Sequence, residues 1–121
     1  MKTQSSIKIL LFGVAMVSSA FSVLAADAPA TDAVDADAAI ALAKSKSCLR
    51  CHGVTKEKEG PPYKVIAKFY RSNPDAEAVL IEHVTTGAKV KLSDGHKENH
   101  KAILDKSPDQ VRNLVRWILS Q

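Results

Sequence analysis

The chain has 121 residues, two cysteines and a formal net charge of +4. That length bounds it to one domain and leaves no room for a large substrate-binding enzyme, and mild basicity without a recognition motif argues against a nucleic-acid module. Aromatic residues make up only 5%, which is thin for a core in a chain whose burial is marginal at this size.

Residues 1–25 have the parts of an export signal. Lys2 and Lys8 supply a basic start, Ile9 to Val23 is uncharged and largely apolar, and Val23-Leu24-Ala25 ends in a small-residue cleavage pattern. The run falls short of the roughly 20 apolar residues that a membrane span needs, so cleavage after Ala25 or Ala26 and a mature form without a span are expected. Both methionines of the chain, Met1 and Met16, leave with this segment, as do Phe12 and Phe21. Residues 26–38 follow as an Ala/Asp-rich leader carrying Asp27, Asp32, Asp35 and Asp37 with no basic residue, the composition of a solvated segment. The folded domain is expected over 39–121.

Ala38 to Ser47 is alanine-rich and contains Ile40 and Leu42, a pattern that predicts a first helix. It would carry Cys48-Leu49-Arg50-Cys51-His52 at its C-terminal end. C-x-x-C-H is the c-type haem attachment signature. On one helical turn, positions i, i+3 and i+4 share a face, so two thiols and one imidazole converge. Cys48 and Cys51 are the expected thioether attachments of one haem c, and His52 the proximal iron ligand. A thioredoxin-like C-x-x-C needs a βαβ context that the flanks do not offer, and a disulfide leaves His52 without a purpose. A zinc site completed by His96 and His100 requires a separation far outside finger spacing.

Gly53 is read as a helix stop, before a charged loop over Val54 to Glu59. In Gly60-Pro61-Pro62 the prolines cannot donate but their carbonyls accept. A ligating histidine needs an acceptor for its other ring nitrogen, and the Pro61 carbonyl is a candidate, although the residues alone read first as a turn. Lys44, Lys46, Arg50, Lys56, Lys58, Lys64, Lys68 and Arg71 form a basic run around the motif. It reads equally as a steering surface for acidic redox partners and as ordinary solvated lysines.

Tyr63 to Tyr70 predicts a short helix. Asn73-Pro74-Asp75 opens another, expected to reach Thr86 and to be closed by Gly87, with His83 on its surface. Ala88 to Lys106 shows no sustained period and is read as a loop containing the turn pair Asp94-Gly95 and two histidines, His96 and His100; it is expected to cover the far side of the iron. Ser107-Pro108-Asp109-Gln110 is a capping box. Val111, Leu114, Val115, Ile118 and Leu119 then form an amphipathic stripe, Arg112 and Arg116 are expected in water, and Trp117 flanks the stripe.

From about Ala38 to Gln121 the chain resembles the class I cytochromes c, small exported bacterial electron carriers. The likeness rests on Lys46 to His52, Gly60-Pro61-Pro62-Tyr63-Lys64, the helix ending at Gly87, and Leu114 to Gln121. The resemblance implies an all-α, cytochrome c-like fold, small helices wrapped around one covalent haem, with the terminal helices crossing. It also implies a periplasmic location, and that Pro61 receives the N–H of His52. Family members usually place a methionine in the last loop as second axial ligand, and residues 17–121 contain none. His100 stands nearest that methionine's offset from the last helix, so the expectation is bis-histidine iron with His52 proximal and His100 distal, ahead of His96, Lys97, Lys101 or an open site. The leading function is electron transfer at lowered potential. The alternative is a protein that binds or senses a diatomic gas (NO, CO or O2) at a labile sixth site, and an enzyme is not expected.

Overall fold

The computed structural model describes residues 33–121; the expected export signal (1–25) and residues 26–32 of the expected leader lie outside the described residues. In chain order the elements are α1 (Ala36–Ser45), α2 (Cys48–Cys51), α3 (Tyr63–Tyr70), α4 (Ala76–Thr86), the strands β1 (Lys89–Lys91) and β2 (Lys97–Asn99), and α5 (Pro108–Leu119). The architecture is helical with one small hairpin.

Helix α5 is the element on which the others assemble, packing against α1, α3 and α4. Its start is fixed by the expected capping box. The Ser107 hydroxyl accepts from the Gln110 N–H, and the Gln110 side chain accepts from the Ser107 N–H, satisfying donors that a helix start leaves without partners. Val111, Leu114, Val115 and Ile118 are buried as the stripe predicted. Trp117 is buried as well, meeting Tyr63 edge-on with ring centroids 5.5 Å apart. Arg112 and Arg116 are not free in water but reach Glu77 of α4, at 3.4 and 2.9 Å, so polar contacts continue the α4–α5 seam past its apolar part.

Helix α1 begins at Ala36, two residues before the expected start, because Asp35 caps it by accepting from the Ala38 N–H. The same residue ties the two ends of the domain together. Asp35 N–H donates to the Asn113 side-chain oxygen, and the Asn113 amide donates back to the Asp35 carbonyl, at 2.9 and 2.8 Å. Ala39, Leu42 and Ala43 bury the inner face of α1, and these small side chains suit close packing on α5.

The expectation of one helix running from Ala38 through the haem motif is corrected. Helix α1 stops at Ser45, and Ser47 takes the left-handed conformation at φ 61° before α2 restarts the helix. Cys48 and Cys51 therefore lie on a separate single turn, and His52 leaves it in extended conformation. The break takes the cysteines off the axis of α1.

Gly87 closes α4 as expected, at φ 68°, a conformation that costs a side-chain-bearing residue. The span Ala88 to Lys106, expected to be a loop throughout, instead contains an antiparallel hairpin pairing Lys89 with Asn99, Val90 with Glu98 and Lys91 with Lys97. The alternation Lys89-Val90-Lys91-Leu92 spans four residues and the facing strand is polar and exposed throughout, so no sustained period shows in the sequence. Asp94-Gly95 turns it: Gly95 sits at φ 92° and Asp94 accepts from the His96 N–H at 3.1 Å. Beyond β2 the chain is fastened back on α4, with Ile103 N–H donating to the Val84 carbonyl at 2.8 Å.

Leu114 is 1% exposed and belongs to the core cluster that joins α1, α3 and α5. Truncation to alanine removes packing that the surrounding helices cannot collapse to replace. Leu114→Ala is expected to lower the stability of the holoprotein by about 2–5 kcal/mol, read from guanidinium unfolding.

Candidate haem site

A cavity of about 790 Å3 opens between α2, α3, α4, the hairpin and α5. Its walls are mostly apolar, with Ile66, Leu80, Val84, Ile103, Leu114 and Ile118 facing it, and Cys48, Cys51, His52, His83 and His100 open onto it. Val65 and Phe69 of α3 line its mouth although they are 53% and 79% exposed. Apolar side chains left in water beside an apolar hollow are the mark of a surface that a planar apolar group would cover.

Three neighbours hold the imidazole of His52. Its Nδ1–H donates to the Pro61 carbonyl at 2.8 Å, which fixes the tautomer and leaves Nε2 free for a metal. Tyr63 stacks on the ring with centroids 5.4 Å apart and planes inclined by 14°. Gly60 lies against the ring edge, where an added Cβ would come within 2.7 Å of His52 Cε1. The loop is closed around this arrangement by Gly60 N–H to Cys51 O at 2.8 Å and Tyr63 N–H to Gly53 O at 2.9 Å. Gly53 thus serves as an acceptor after the helix has already ended, rather than as the helix stop.

The two thiols sit in different surroundings. Burial pushes the Cys48 thiol up, and it shares a hydrogen bond with the hydroxyl of Tyr63. The Tyr63 hydroxyl is pushed up in turn, first by burial and then by Cys48 beside it. Cys51 donates to the Glu59 carboxylate at 3.3 Å, and this bond, ahead of burial, raises it. Both thiols are free, and their surroundings favour the thiol over the thiolate.

Opposite His52 stands His100, with ring centroids 6.0 Å apart. That separation accommodates one metal centre bonded to a nitrogen of each ring at ~2 Å. Burial, followed by the neighbouring His83 and His52, lowers the pKa of His100, so the ring stays neutral and keeps its lone pair. Its Nδ1 is enclosed without a hydrogen-bond partner among the described residues. Its backbone is set by donation to the Ala88 carbonyl at 2.9 Å, and by Gly87, where a Cβ would approach the His100 carbonyl to 3.0 Å. His96 is elsewhere: its side chain is 54% exposed and its Nδ1 lies 2.6 Å from Asp94, which raises it. Of the two loop histidines the fold brings His100 to the cavity and leaves His96 outside.

His83, expected on the surface, is half-buried, lines the cavity and lies 4.7 Å from the ring of His100. The signal was present in the sequence. Ala76, Leu80, His83, Val84 and Gly87 fall at i, i+4, i+7, i+8 and i+11, which puts His83 on the inner stripe of α4. Tyr63, read only as the start of a helix, proves to be the residue that joins His52, Cys48 and Trp117.

A cavity of this size with two thiols on one rim and two imidazoles facing each other across it fits a covalently held haem, and the relatives agree. The family profile for cytochrome c matches residues 36–121. Cytochrome c2 of Rhodocyclus tenuis is 35% identical over 81 residues, 66% of this chain and 88% of the relative. Cytochrome c-551 of Pseudomonas aeruginosa is 29% identical over 80 residues, 66% of this chain and 73% of that one. Among solved structures, the class 1 cytochrome MtoD from Sideroxydans lithotrophicus ES-1 superposes with a TM-score of 0.72 at 57% identity, covering 73% of this chain and 97% of MtoD. The chain belongs to the cytochrome c family, as a class I monohaem member carrying one covalently bound haem c through Cys48 and Cys51. It is an electron-transfer cytochrome that exchanges electrons with redox partner proteins.

Gly60→Ala tests the packing around His52. The new methyl must displace the imidazole from the Pro61 carbonyl, so the variant is expected to form less holoprotein, destabilised by about 1–3 kcal/mol, with an altered ferric absorption spectrum. A spectrum and yield equal to wild type would show that the ring is not held there.

Proposed function

We propose that this protein is a periplasmic electron carrier with bis-histidine iron, His52 proximal and His100 distal, and a potential below that of methionine-ligated members of the family. The observation that carries the reading is the facing pair of imidazoles, 6.0 Å apart across the cavity that Cys48 and Cys51 border. In this reading residues 1–25 are a cleaved export signal and the leader expected over 26–38 ends before Asp35, which already caps α1; no helix among the described residues is long and apolar enough to cross a membrane.

A haem held through Cys48 and Cys51 between His52 and His100 would supply one-electron Fe(II)/Fe(III) redox chemistry. The chain's part is to keep that cycle free of rearrangement. Pro61 and Tyr63 fix the ring of His52 by hydrogen bond and by stacking. His100 is kept neutral by burial and is anchored by its backbone to Ala88. Imidazole in place of thioether donates more strongly to the oxidised metal, so replacing methionine lowers the potential. Pro61 accordingly orients the proximal ligand from outside the coordination shell. The lysines and arginines between Lys44 and Arg71 favour approach of acidic partners.

Two measurements test this together. Potentiometry of the holoprotein is expected to give a midpoint below the usual range of His/Met cytochromes c, and the reduced protein is expected to bind carbon monoxide slowly or not at all. His100→Ala is expected to bind carbon monoxide readily, whereas His96→Ala behaves as wild type. Rapid binding to the wild type would contradict a closed sixth site and bring the gas-binding reading forward.

A further inference from the structure

We propose that His83 is a positioning residue for the distal imidazole, accepting a hydrogen bond from the ring N–H of His100 that does not face the iron and thereby strengthening His100 as a donor. The inference rests on His100 being the sixth ligand.

The starting observation is an unpaired atom. Among the described residues, Nδ1 of His100 is the enclosed side-chain nitrogen without a partner. An imidazole that binds metal through one nitrogen presents an N–H at the other, and metal-bound histidines almost always donate that proton to an acceptor. On the proximal side the acceptor is the Pro61 carbonyl. On the distal side the neighbours divide simply. His52 cannot serve, because it lies across the cavity and its Nδ1 is committed to Pro61. The Val84 carbonyl already receives the Ile103 N–H, and the Ala88 carbonyl receives the backbone N–H of His100 itself. Glu98, on the preceding strand, reaches the cavity rim and acts on His100 as a charge, but its side chain is 53% accessible and meets His96 at 3.9 Å.

The backbone of Lys101 also acts on the His100 ring, and His83 is the side-chain acceptor beside it, its ring centred 4.7 Å from that of His100 and inclined by 52°. The separation lets a nitrogen of each ring come within hydrogen-bond distance by rotation about the second side-chain torsion of His83, which is soft in histidine. Both residues also share one frame. His83 is on α4, and His100 is tied to the end of that helix through Ala88 and the close approach at Gly87. The two rings therefore keep their relative placement. A ligand whose N–H is accepted by a second imidazole carries more electron density toward the metal and favours Fe(III), so His83 adds to the lowering of potential that His100 itself causes.

The test uses the holoprotein in three variants. His83→Phe keeps an aromatic ring and removes the acceptor; His83→Gln gives up the ring and keeps an acceptor. Midpoint potential and low-temperature EPR of the ferric form are read for each beside His100→Ala. His83→Phe is expected to raise the midpoint potential and change the spread of the low-spin g values, and His83→Gln to return both toward wild type. Should His83→Phe fail to take up haem, His83→Leu replaces it in the comparison. A potential and spectrum unchanged in His83→Phe, or equal shifts in the phenylalanine and glutamine variants, would overturn the proposal, the second by showing a packing role. If His100→Ala leaves the iron spectrum untouched, the bis-histidine reading fails and this inference with it. An altered His100→Ala beside a silent His83→Phe removes His83 alone.

Discussion

The hydrogen bond from His52 to the Pro61 carbonyl is the constraint around which the rest of this small domain is arranged. It requires the chain to leave α2 in extended conformation, to return at Gly60 with no side chain, and to present a carbonyl from a residue that cannot donate in competition. Tyr63 then begins α3 on top of the same ring and passes the constraint inward, edge-on to Trp117 of α5. His52 and the main packing helix are thus two aromatic contacts apart.

The second consequence is that stability and cofactor are not separable. Core residues Leu114, Ile118 and Ile103 also face the cavity, so side chains that a cofactor-free protein would bury against each other are reserved for the haem. Val65 and Phe69 at the mouth make the same point from outside. Small domains reach adequate burial with the help of a staple, and here the staple is the group that does the chemistry. The capping box of α5 and the reciprocal Asp35–Asn113 pair hold the frame, but the interior is completed only by the cofactor.

Much of this was legible from residues because the informative features were local. The Cys48-to-His52 spacing, the Ser107 capping box and the α5 stripe each declare themselves within a few positions, and the resemblance supplied the order in which they pack. What was not legible depended on the third dimension. The break at Ser47 is a single left-handed residue with no glycine to announce it. The hairpin has one short apolar face, Val90 followed by Leu92, too brief to show as a sustained period. His83 looked like a surface residue because its sequence neighbour Glu82 is charged, while its helical neighbours Leu80 and Val84 were the ones that decided its direction. His100, by contrast, was chosen from sequence only by its offset from the last helix, and the fold brings that residue rather than His96 to the cavity.

With no methionine in residues 17–121, the proposed ligation by His100 is the point that the iron spectrum decides. The most direct measurement is low-temperature EPR of the ferric mature holoprotein, wild type beside His100→Ala. Low-spin iron in the wild type that becomes high-spin in the variant is the predicted result. High-spin iron in the wild type, or a low-spin signal that His100→Ala leaves unchanged, would contradict it.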